Sequence, residues 1–140
     1  METNNTTTSN GVHNTHTKDN AAKIVFGDPV LCAQFLKGYT DIPLFKEIKP
    51  EDIENVSSHF LPLFQESRDS DTVNKIRIGN SEIYLIALIE HQSENDFDMS
   101  FRILRYIVFI WTDYAAQQEK LHKGTTKSKD FLYPPILPIV

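Results

Sequence analysis

Glu90, His91 and Gln92 close an apolar run that extends from Ile83 to Ile89. Side chains alternate across a strand, so Glu90 and Gln92 share one face and His91 points to the other. A carboxylate so placed could help to hold a hard divalent cation if a second carboxylate shares its face. The companion carboxylate is Asp71, just ahead of a predicted strand over Thr72–Ile78. If Gly79-Asn80 is a two-residue loop, Ile78 lies opposite Ser81 and Asp71 opposite Leu88, with Glu90 as its diagonal neighbour. A four-residue loop, Gly79 to Glu82, sets Asp71 directly opposite Glu90. Either even-length loop puts both carboxylates on one face, with β-carbons roughly 5 to 8 Å apart. A three-residue loop separates them unless a bulge corrects the register. An acid at a strand end also serves simply to return the chain to water, and so short a motif has little specificity alone.

The surrounding pattern is that of a mixed α/β chain. Met1 to Thr17 is a tract of Thr, Asn, Ser and His with almost nothing to bury, which predicts a disordered polar tail over residues 1–17. His13 and His16 in that tail are spaced for a metal, but such a tract offers them no fixed partner. Order is expected from Asp19, which can cap a helix carrying Ala22, Ile24, Val25 and Phe26 before a break at Gly27-Asp28-Pro29. A second helix follows with Pro29 at its first position and Leu31, Phe35, Leu36 and Tyr39 at helical spacing. Pro50-Glu51-Asp52-Ile53 reads as a short helix start. Thr72–Ile78 and Ile83–Gln92 form a hairpin around Gly79-Asn80-Ser81. Phe101 to about Gln118 is the clearest helix, with Phe101, Leu104, Val108, Trp111 and Ala115 as one apolar stripe expected to face the core, joined by Ile103, Ile107 and Ile110. The final Pro135-Ile136-Leu137-Pro138-Ile139-Val140 reads as a strand just beginning, which suggests that the domain continues past the last residue.

Bulk properties bound the function. With 40% hydrophobic and 24% charged residues in 140, the chain has an ordinary globular composition. A net charge of −5 gives no global attraction to nucleic acid. The charge is uneven: Asp41 to Asp71 is strongly acidic, whereas Lys120, Lys123, Lys127 and Lys129 cluster near the end. The single cysteine, Cys32, rules out an internal disulfide and leans towards a reducing cytoplasm. No apolar run is long enough to span a bilayer, so no membrane partner is expected.

Longer strings add what spacing does not. L-I-E-H-Q-S at Leu88–Ser93 is followed by F-R-I-L-R-Y-I-V-F-I-W at Phe101–Trp111, then by Y-P-P-I-L-P-I-V at Tyr133–Val140. With Ser70-Asp71 and K-D-N-A-A-K-I-V-F-G-D-P at Lys18–Pro29, they closely resemble the recombination-promoting nuclease or transposase family of bacteria. The resemblance implies a PD-(D/E)XK, restriction-endonuclease-like core over residues 18–140, incomplete at the carboxy terminus. That core is a central mixed sheet, a β-hairpin plus a further strand, flanked by helices. It implies a Mg²⁺-dependent (or Mn²⁺-dependent) endonuclease that cleaves DNA phosphodiesters in recombination or mobile-element activity. Asp71 and Glu90 would be the metal carboxylates, the His91 carbonyl a further ligand, and Asp19 a helical acid near the metal. Gln92 stands where much of the superfamily has lysine. Arg102 and Arg105, at i, i+3 on the long helix, share a flank that could meet DNA phosphates, or could instead face solvent or pair with Asp98 and other acids.

The sequence departs from the family pattern in three places. Lys18 replaces a frequent histidine, Ala22 precedes Lys23 where an aromatic is usual, and Thr72-Val73-Asn74 is more polar than expected. Two alternatives to the enzyme stand: a catalytically weak or inactive nuclease-fold module that binds DNA or a protein partner, and an acidic interaction domain without a nucleic-acid role. Assembly into a homo-oligomer is compatible with either.

Overall fold

Asn74, a polar residue in the middle of a strand, ties two layers of the molecule together. In this computed structural model, which describes residues 21–60, 71–88 and 98–140, Asn74 is buried and its Nδ2 donates 2.7 Å to the Phe26 carbonyl. That carbonyl lies at the end of helix α1 (residues 21–27), where helical partners run out. The unexpected polarity at Asn74 thus has a structural use.

Helix α2 (Pro29–Tyr39) begins with Pro29 inside its first turn, as its sequence dictates. Asp28 is its N-cap, accepting from the Val30 and Leu31 amides at 2.8 and 3.3 Å. The buried stripe is Cys32, Ala33 and Leu36; Tyr39 is exposed. Pro50–Asp52 forms a single 3-10 turn, not the start of a longer helix, because the chain enters strand β1 (Ile53–Asn55) at once. The β-branched Ile53 is buried and pairs with Ile76. Three residues are too few for alternation to register, so β1 was not readable from sequence. A four-residue helix α3 (Ser57–Phe60) follows.

Strands β2 (Thr72–Ile78) and β3 (Ser81–Ala87) form the expected hairpin with the two-residue loop: Ile78 pairs with Ser81 and Thr72 with Ala87. Gly79 has φ 60° at the first loop position, a backbone conformation that only glycine adopts cheaply. Helix α4 (Met99–Leu121) then crosses over to strand β4 (Ile136–Ile139), which pairs parallel to β3. The sheet order is β1-β2-β3-β4, antiparallel except for its last pair. Pro138, lacking an N–H, is tolerated on this edge strand.

The alternation of β2 and β3 divides the core in two. Ile76, Ile83, Leu85 and Ala87 pack with α1, α2, Phe45 and Ile48. Val73, Tyr84, Ile86 and Leu88 pack with Phe60 of α3 and with Met99, Tyr106 and Ile110 of α4. This α/β/α layering bears out the mixed α/β reading.

The facing of α4 is a correction. Phe101, Leu104 and Val108, expected in the core, are 57%, 52% and 55% exposed, and the buried stripe is Met99, Arg102, Tyr106 and Ile110. Apolar content alone favoured the wrong side. The sheet presents a buried carboxylate beside Val73 and Leu88, and only the Arg102–Tyr106 side can answer it.

Candidate functional site

Asp71 lies immediately before β2, one residue beyond the Thr72–Ala87 pair, so the same register sets it opposite Leu88. It shares the α4 face with Val73. It is 1% exposed. Such a carboxylate remains ionised only if a cation or several donors offset its lost hydration.

Helix α4 supplies both. Arg102 Nη2 approaches Asp71 Oδ1 at 3.2 Å, and Arg102 Nε approaches Oδ2 at 3.2 Å. The guanidinium thus lies against both carboxylate oxygens, hydrogen-bonding Oδ1 through Nη2 and meeting Oδ2 through Nε as a charge contact. One turn further along α4, Tyr106 donates its hydroxyl to Asp71 Oδ2 at 2.9 Å. The Tyr106 phenol is pushed well above its ordinary pKa, first by burial and then by the Asp71 charge and hydrogen bond. It therefore acts as a proton-bearing donor that fixes the carboxylate's orientation.

Arg105 turns elsewhere. Its Nη2 contacts Asp98 Oδ2 at 3.1 Å and its guanidinium lies over the Phe101 ring, 4.8 Å from the centroid. Among the described residues, Arg105 contacts Asp98 and Phe101, and Arg102 contacts Asp71. Arg102 is 4% exposed and faces the sheet, while Arg105 lies on the flank with Asp98. Glu90, His91, Gln92 and Asp19 lie outside the described residues.

Tyr106 was missed by sequence reasoning. The available signal was a tyrosine one turn after Arg102, on a helix that must pack over the head of β2. Among the described residues, no group of three His, Cys, Asp or Glu side chains is placed to hold a metal. Asp71 itself is a hard, buried oxygen donor of the kind Mg²⁺ accepts.

The family model described as "Putative transposase, YhgA-like" matches residues 16–140. The chain belongs to that family. Neither a curated protein nor a solved structure matches it. The matched region takes in the Asp71 hairpin, α4 and β4 alike. No helix among the described residues is long and apolar enough to cross a membrane.

Proposed function

We propose that this transposase-family chain is a metal-dependent DNA endonuclease of the PD-(D/E)XK type, acting in recombination or mobile-element movement. The observation that carries the reading is the position of Asp71: buried, at the head of β2, on the α4 face, and in two-residue-loop register with β3. If β3's alternation continues beyond Leu88, Glu90 and Gln92 fall on that same face, with Glu90 diagonal to Asp71. The β1-β2-β3 meander, the α4 crossover and the parallel β4 also suit a restriction-endonuclease-like core.

Asp71, Glu90 and the His91 carbonyl would hold Mg²⁺ or Mn²⁺, with Asp19 nearby. When bound, the cation supplies Lewis acidity, polarising the phosphate and acidifying a coordinated water. Gln92 would accept from the attacking water through its amide oxygen and help orient it, without the positive charge a lysine would bring. Arg102 and Tyr106 position Asp71.

A second reading has its own support. Both Asp71 oxygens already face donors from α4, which suits a nuclease-fold module that binds DNA or a protein without cutting. Nicking of supercoiled plasmid separates the two. The endonuclease predicts cleavage with Mg²⁺, none with chelator, and loss of cleavage in Glu90→Ala. Equal cleavage by both proteins would sink the site, and cleavage by neither would favour the binding module.

A further inference from the structure

The carboxy-terminal end of α4 carries a feature that the cleavage site does not use. Lys120, His122, Lys123, Lys127 and Lys129 fall within ten consecutive residues that contain no acid, and all five are exposed. In a chain of net charge −5 this is a local reversal of sign. A helix dipole accounts for a cation in the last turn, here Lys120. It does not account for three more lysines beyond the helix.

The segment is pinned. The chain turns back at Gly124, with φ 86°, into a 3-10 turn over Thr125–Lys127. Glu119 faces this turn and accepts from the Gly124 and Thr126 amides and, at 2.9 Å, from the Thr126 hydroxyl. Those bonds, that of Gly124 first, hold its carboxyl below the usual range, so it stays ionised. Further on, Phe131 packs near Tyr114 with ring centroids 6.1 Å apart, and Trp111 Nε1 donates 2.9 Å to the Pro134 carbonyl. The lysines are therefore presented on a turn clamped at both ends.

We propose that this basic hook docks the phosphate backbone of duplex DNA, as an anchor separate from the cleavage site. The choice of DNA rests on the functional reading above. Lys120 lies fourteen residues beyond Tyr106, about 21 Å along α4. At about 3.4 Å per step that is the length of roughly six base pairs. A duplex whose phosphate backbone is cut at Asp71 can thus reach the hook on one side of the cut. Pre-ordered cations lose little freedom on contact, and each neutralised phosphate releases counterions.

The test is binding of the full chain to a fluorescent duplex several helical turns long, by anisotropy over a salt series without divalent cation. Replacing Lys120, Lys123, Lys127 and Lys129 together by Gln should weaken binding at least tenfold. It should also flatten the log–log salt slope by about two to four, at about 0.9 per phosphate contact. Glu119→Gln is the sharper variant. Charge counting predicts tighter binding because an acid is removed, whereas loosening the hook predicts weaker binding. Unchanged affinity and slope in the lysine variant would overturn the proposal, as would tighter or equal binding by Glu119→Gln. Stronger binding to phosphatidylserine vesicles than to duplex would overturn it as well. Because no cleavage is measured, failure here leaves the endonuclease reading intact, and Glu90→Ala should bind duplex normally whatever its nicking activity.

Discussion

Asp71 and Arg102 form a buried ion pair, with side chains 0% and 4% exposed and separated by 31 residues of chain. The pair joins the head of β2 to the first turns of α4, so the carboxylate proposed to bind the metal is also the point where the long helix is docked.

Breaking that pair from one side strands a charge. Arg102→Met should destabilise the protein by about 3–5 kcal/mol, and combining it with Asp71→Asn should cost clearly less than the two singles summed. Tyr106→Phe should cost about 1–3 kcal/mol, since it leaves an Asp71 oxygen short of a donor. Urea denaturation measures all of these; an Arg102→Met effect within about 0.5 kcal/mol would show that the pair does not dock the helix.

The facing of α4 has an equally direct consequence. Ile110 is fully buried, so Ile110→Ala should cost about 2–4 kcal/mol. Val108 is 55% exposed, and Val108→Glu should stay within about 0.5 kcal/mol. The reverse order in thermal or urea unfolding would mean that the helix presents its other stripe to the sheet.

The hairpin was legible because loop chemistry and alternation agreed: Gly79-Asn80 admitted an even-length loop, and the observed register is the two-residue alternative. Pro29 and the apolar content of α4 were enough to place both helices. Orientation around α4 was not legible. Binary patterning weighs Phe101, Leu104 and Val108 as core and Arg102 as surface, and only knowledge of the buried Asp71 inverts that ranking. Strand β1 was hidden because its pairing with β2, a tertiary contact, makes it a strand. Asp71 was singled out from sequence by hairpin parity with Glu90 together with the family motifs, whereas its partner Tyr106 required the packing of α4 over the sheet.

Alkaline pH should weaken the protein in stages. Burial raises the Cys32 thiol from 9.0 to about 11 and the Tyr84 phenol from 10.0 to about 12. Both folded values exceed the unfolded ones, so this contribution is complete below pH 9 and is lost as pH rises through those values. Stability from urea titrations should therefore be flat to about pH 9 and then fall, by on the order of 2 kcal/mol for the thiol. Cys32→Ala should remove the portion lost between pH 9 and about 11. A constant stability across that range would contradict the buried thiol.

Everything assigned to the cleavage site depends on Asp71 and Glu90 serving one cation. Titration of Mn²⁺ by its electron paramagnetic resonance signal addresses this without any need for turnover. The proteins compared are wild type, Asp71→Asn, Glu90→Gln and the double variant, each confirmed as folded by circular dichroism. A shared site predicts that each single change weakens binding at least tenfold and that the double is little worse than either, because removing either ligand already disables it. Undiminished Mn²⁺ binding in both single variants, or fully additive losses, would contradict a shared site.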